Sequence, residues 1–293
     1  MTQPRTRRDR GRRRRTAAVV SALSVAALAL VPGCAAGTDP ASDHSPERAD
    51  PTLEHVHDLG VDPADGSLYA GTHHGLFRLR KQGGTTLVAG RVQDLMGFTV
   101  AGPRHFLASG HPGPGQDGPP ALGLIQSTDG GRTWDSLSLS GEADSHALAY
   151  RHDRVYGLDA RSGTFVVSAD KADWETRSTL PMADFAVSPT DPDVVLATTE
   201  RGLLHSDDGG RSFGPVPGAP VLLLVDWDAD GRLVGVGPDG SVHVSSGPGR
   251  LWATRGRVDG APEALATQGS AIYLAVAGAV TVSTDGGRTF TAL

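Results

Sequence analysis

Short runs of alternating apolar and small or polar residues recur along most of the chain, and turn residues separate them. Residues 57–61, 67–71, 76–80 and 85–89 are one such group, rich in Val, Leu and Ala. Runs of this length with a period of two predict β-strands, not helices. The clusters Pro63-Ala64-Asp65-Gly66 and Asp228-Ala229-Asp230-Gly231 have the composition of tight turns. Five further groups follow, beginning with runs at 96–100, 146–150, 185–188, 222–226 and 263–267. Six groups of short strands predict an all-β fold. Residues 50–54 are a candidate for an outer strand, or the flank of one, where the first and last groups meet.

A repeat gives this pattern a period. Ser127-Thr128-Asp129-Gly130-Gly131-Arg132-Thr133-Trp134 is nearly copied by the segments from Ser206 to Phe213 and from Ser283 to Phe290. Degenerate copies start at Ser168, ending in Trp174, and at Ser245, ending in Trp252. Successive serines are 41, 38, 39 and 38 residues apart. A fixed period of roughly 40 residues suits one four-stranded propeller blade. The expected architecture is therefore a six-bladed β-propeller of four-stranded antiparallel blades over residues 52–293.

The repeated octet carries its own mechanism. Ser and Asp side chains can hydrogen-bond the turn backbone, and the glycines supply positive φ. The closing Trp or Phe can pack between blades. Ser127, Asp129, Gly131 and Trp134, Ser206, Asp208, Gly210 and Phe213, and Ser283, Asp285, Gly287 and Phe290 fit S-x-D-x-G-x-T-[WF], with Ser212 in place of Thr. This resembles the Asp-box, or BNR repeat, of sialidases, sortilin-type receptors and photosystem II assembly-factor-like propellers, a group whose exported bacterial members are often labelled glycosyl hydrolases. The resemblance implies a fold. It does not separate enzymes from binders, since both use the turn.

Charge and the lone cysteine add a second region. Of 27 basic and 33 acidic residues, eight arginines and one acid fall in residues 1–16, so the remainder carries a net charge of −13. An acidic body excludes a nucleic-acid role. The arginines precede an apolar run from Ala17 to Val31 and then Leu30-Val31-Pro32-Gly33-Cys34. That order predicts a secretory signal peptide over residues 1–34, too short in its apolar part to span a bilayer comfortably. The last five residues resemble a bacterial lipobox, with Cys34 as the lipidation site. One cysteine in 293 residues excludes an intrachain disulfide. Residues 35–51, rich in Ala, Ser, Asp and Pro, predict a flexible tether. The expected product is a monomer on the outer face of the cell membrane, held there by its N-terminal lipid.

Candidate chemistry gathers on one face. In a propeller, the inner strands begin at one channel face, and the loops between second and third strands share it. Aligned inner strands place His57, Met96, His146, Ala183, Val221 and Glu263 at equivalent positions, with His55 two residues before His57. The second-to-third-strand loops add His73, His74 and His111. Imidazole with thioether suits copper, and imidazole alone suits zinc, nickel or copper. The candidate metal ligands are therefore His55, His57, His73, His74, Met96, His111 and His146. The Gly- and Pro-rich insertion at 110–121 is placed to cover the same face.

Two functions from different classes fit. One is binding of a small ligand, such as a copper or zinc ion, or of a protein partner through the histidine-rich face. The other is a glycoside hydrolase acting on surface glycans, with Glu200, Glu263 and Asp184 as candidate catalytic carboxylates. A sialidase-type set is not evident: Arg132, Arg211 and Arg288 lie within the Asp-box-like octets, on the opposite face, and Arg201 is the main candidate on the channel side.

Overall fold

The computed structural model describes residues 53–80, 84–247, 249 and 251–293. The expected signal peptide, Cys34 and the whole of the tether lie outside these residues. The described residues form one compact unit. It contains six four-stranded antiparallel sheets, each made of strands consecutive in sequence.

Blade one is β1 (Val56–Val61), β2 (Leu68–Thr72), β3 (Gly75–Leu79) and β4 (Thr85–Leu87). Blade two is β5 (Asp94–Gly102), β6 (His105–His111), β7 (Leu124–Ser127) and β8 (Asp135–Ser138). Blade three is β9 (Ser145–Arg151), β10 (Arg154–Asp159), β11 (Thr164–Ser168) and β12 (Glu175–Thr179). Blade four is β13 (Asp184–Val187), β14 (Val195–Thr199), β15 (Gly202–Ser206) and β16 (Gly214–Pro215). Blade five is β17 (Leu224–Trp227), β18 (Arg232–Val236), β19 (Ser241–Ser246) and β20 (Trp252–Arg257). Blade six is β21 (Pro262–Gln268), β22 (Ala271–Val276), β23 (Ala279–Ser283) and β24 (Thr291–Ala292). This is the six-bladed β-propeller that the period predicted.

Two expectations are corrected. The fourth run of blade one ends at Leu87, and Val88–Gly90 is a 3-10 turn with Ala89 at φ +53°. Residues 53 and 54 form no strand, and residues 50–52 lie outside the described ones. Among the described residues blade six draws its four strands from its own segment, β21 to β24. Apolar packing joins it to blade one. Leu53, Val56 and Leu59 pack with Ala264, Ala266, Tyr273 and Val280 in one buried cluster joining blades one and six.

The octet turns are saturated with hydrogen bonds. Asp208 accepts from the Ser206 hydroxyl (2.8 Å), the Arg211 and Ser212 N–H groups (2.9 Å each) and the Ser212 hydroxyl (2.6 Å). Asp129 and Asp285 repeat the scheme, with Thr133 and Thr289 in the role of Ser212. Hydroxyl and amide bonds to the charged form hold the Asp208 and Asp285 carboxyls well below the usual carboxylate range. Gly210 has φ +86°, and a Cβ there would overlap the Phe165 ring of the preceding blade. The turn thus needs glycine twice over, for its backbone and for its seat. The closing aromatic then packs across blades: Phe213 joins Phe165 and Phe185, with ring centroids of Phe165 and Phe213 6.3 Å apart.

Carboxylates also staple blades along the central channel. Asp58 Oδ2 accepts the Phe98 N–H of the next blade at 2.7 Å. Asp184 Oδ2 accepts Val225 N–H at 2.9 Å, and Asp226 Oδ2 accepts the Thr267 N–H and hydroxyl at 2.7 Å each. Burial dominates their titration and raises all three, Asp184 to about 7.

Candidate functional site

The inner strands enclose a central cavity of about 490 Å³. His55, His57, Met96, His146, Ala183 and Glu263 line it, as their alignment in the sequence predicted. Val221 does not. Blade five's inner strand starts only at Leu224, and Val221 lies in the preceding loop, 56% exposed.

The tightest group on the rim is His55, His57 and His73, each offering one ring nitrogen within 4.8 Å of the others. Their rings are mutually packed. His57 meets His73 and His55 edge-on, at centroid distances of 4.3 and 4.8 Å, while His55 stacks on His73 at 5.6 Å. Local structure explains the grouping. His57 is on β1, and His73 follows β2 in the turn to β3, where the Thr72 hydroxyl accepts the His74 N–H and donates to the Gly75 carbonyl. The pairing of β1 with β2 puts Val56 opposite Thr72, so the strand start and the loop meet at one end.

A carboxylate from the next blade lies against two of these histidines. Asp94 Oδ1, at the start of β5, is 2.9 Å from His73 Nδ1 and 3.9 Å from His57 Nε2. His57 Nε2 is 3.3 Å from the same His73 Nδ1. Burial, then the neighbouring imidazoles, lower the His57 pKa to about 3. The His57 ring is therefore neutral at ordinary pH, with a lone pair available. On the other side, His55 Nδ1 is 3.3 Å from Glu263 Oε1. Glu263 Oε2 in turn accepts the N–H groups of Val56 and Gly278 at 3.3 and 3.0 Å.

The other candidates sort differently. His74 pairs with Glu54 at 2.9 Å, outward from the cluster. His111 and His146 both turn Nε2 towards Asp144 Oδ2, at 3.3 and 3.0 Å. His111 Nδ1 donates to the Pro120 carbonyl at 2.7 Å, so the insertion is tied to this face. The Gln116 amide adds a second tie, donating to Val92 O at 2.9 Å. Asp144 Oδ1 is buried without a hydrogen-bond partner among the described residues. Met96 lines the cavity.

The candidate catalytic carboxylates are scattered. Glu263 is occupied by His55 and two backbone amides. Asp184 is in the channel wall, holding the Phe185 and Val225 amides. Glu200 is exposed in the turn between β14 and β15, beside Arg201.

Asp94 and Asp144 were missed in the sequence, although a signal existed. Each lies two residues before an aligned rim residue, Met96 or His146, just as His55 lies two before His57. Extending the alignment by one β-period would have found both.

Fold and rim together define a six-bladed β-propeller with a histidine- and carboxylate-rich channel mouth. No protein-family model matches the chain. A similar curated protein is the photosystem II assembly lipoprotein Ycf48 of Prochlorococcus marinus, 24% identical over 139 residues. The match takes in 44% of this chain and only 41% of that relative's length. Among solved structures, YCF48 bound to D1 peptide is similar at TM-score 0.53 and 18% identity, covering 83% of this chain and 82% of that one. A gluconolactonase from Xanthomonas campestris, XC5397, is similar at TM-score 0.63 and 11% identity, covering 79% and 87%. At these identities the structures share the propeller fold with this chain, and nothing finer follows.

Proposed function

We propose that this chain is an exported binding propeller that captures a partner through its histidine-rich channel face. The ligand is a protein segment, a transition-metal ion, or a segment held through that ion. In this reading residues 1–34 are a signal peptide, Cys34 carries the lipid, residues 35–51 are a tether, and residues 52–293 are a monomeric propeller on the outer face of the cell membrane. The repeated turns make it a member of the Asp-box group. A Cys34→Ala variant should then leave the membrane fraction.

The observation that carries the reading is the convergence of His55, His57 and His73 at the mouth of an open cavity. The protein-partner element draws support from a similar propeller, YCF48, solved with a D1 peptide. A glycosidase is disfavoured, because two of its three candidate carboxylates are bonded to backbone amides as structural groups.

Photo-crosslinking in the native membrane tests it. A crosslinker at Glu54, on the histidine face, should trap a partner that one at Asp207, in an Asp-box turn, does not. A His57→Ala/His146→Ala double variant should lose that adduct. Adducts only from position 207, or glycan turnover abolished by Glu200→Gln, would overturn the proposal.

A further inference from the structure

We infer that His57 Nε2, His73 Nδ1 and the Asp94 carboxylate, with His55 as a fourth donor, form a centre for one divalent transition-metal ion at the junction of blades one and two. This deepens the binding reading above and rests on it for the choice of face.

The geometry is that of a ligand set. The three donor atoms are separated by 3.3, 2.9 and 3.9 Å. Donors bound at about 2.0–2.1 Å to a tetrahedral ion stand roughly 3.3–3.4 Å apart. Hydrogen bonding alone serves these atoms poorly. His73 Nδ1 carries at most one proton or one lone pair, so in any one tautomer it serves only one of its two close neighbours, the Asp94 oxygen and the His57 nitrogen. A single cation inside the triangle satisfies all three lone pairs together.

An outer shell is also present. Glu263 accepts from His55 Nδ1, which leaves the lone pair of the neutral ring on Nε2. Its other oxygen is fixed by two backbone amides. A carboxylate bonded to the far nitrogen of a ligating imidazole is the usual second partner of a histidine metal ligand. Glu263 is therefore a positioning residue. Imidazole and carboxylate without thiolate select zinc or copper(II) over softer ions. His111 and His146, drawn to Asp144, stand outside the centre.

The full chain, purified in detergent and stripped with chelator, should be titrated with Zn²⁺, and with Co²⁺ as an optical probe. One ion per chain is expected, with the visible bands of a low-coordinate Co²⁺ site. His57→Ala and His73→Ala should each weaken binding by about 100-fold or more, and Glu263→Gln by about 10–100-fold. His111→Ala should bind as the parent does. His73→Gln and a circular dichroism spectrum for each variant guard against loss of fold. A folded parent that takes up no ion overturns the centre. So does unchanged affinity in both His57→Ala and His73→Ala, or an equal loss in His111→Ala. Loss of the crosslinked partner with metal binding intact would count against the partner reading alone. Retained crosslinking with no metal bound would count against this centre alone.

Discussion

The two faces of the propeller use the same kinds of polar residue in opposite ways. On the face of the repeated octet turns, each carboxylate of a full octet accepts from two hydroxyls and two amides, and little donor or acceptor capacity is left over. On the channel face, donors and acceptors are mismatched. The one His73 Nδ1 position lies between an Asp94 oxygen and the His57 nitrogen and serves only one of them in any one tautomer, and Asp144 keeps a buried oxygen without a partner among the described residues. A saturated polar group has completed its work in folding. An unsaturated one that the fold nevertheless holds in place has capacity for something outside the chain.

Breaking the saturated face should have the largest effect. Gly210→Ala puts a Cβ into the Phe165 ring at a positive φ. It should cost about 3 kcal/mol, lowering Tm by roughly 6–12 °C in a thermal melt, with rim metal affinity unchanged. Asp94→Asn should do the converse. Zn²⁺ affinity should fall by about 10–100-fold, while the melting curve stays within about 0.5 kcal/mol of the parent.

A smaller effect concerns pH. Asp184 is raised from 3.8 to about 7 in the folded chain. Between these values the folded state holds a proton that the unfolded state has released, so this group subtracts stability as pH rises through that window. His57 works against it at acid pH. Its folded value of about 3 lies below the unfolded 6.5, so its contribution is lost as pH falls through that range. Asp184→Asn loses one of two amide acceptors at every pH but removes the titration, so its Tm relative to the parent should be a few degrees higher at pH 8 than near pH 4. The smallest effect should be that of Glu200→Gln. Stability and metal affinity should both stay within about 0.5 kcal/mol, which would separate this exposed loop carboxylate from the rim acids.

Much of the fold was legible because its signals are local. Turn chemistry and strand alternation act within eight or ten residues, and their repetition at a fixed spacing determined blade number and the face of each loop. The same register put His57, Met96, His146 and Glu263 at the channel mouth. It failed at Val221, where blade five's inner strand begins later, and it did not foresee the apolar packing of Leu53 against blade six.

The chemistry of the rim was only half legible. Sequence determined which residue types reach the face, because strand periodicity and loop position are properties of the chain itself. It could not decide which of them meet. The pairings of His73 with Asp94 and of His55 with Glu263 span 21 and 208 residues. They depend on how blade one sits against blades two and six, a matter of core packing and ring closure. Only the tertiary structure could gather His55, His57 and His73 into one compact cluster and pair His74, His111 and His146 with other carboxylates. It also turned Glu263 from a candidate acid into the support of His55.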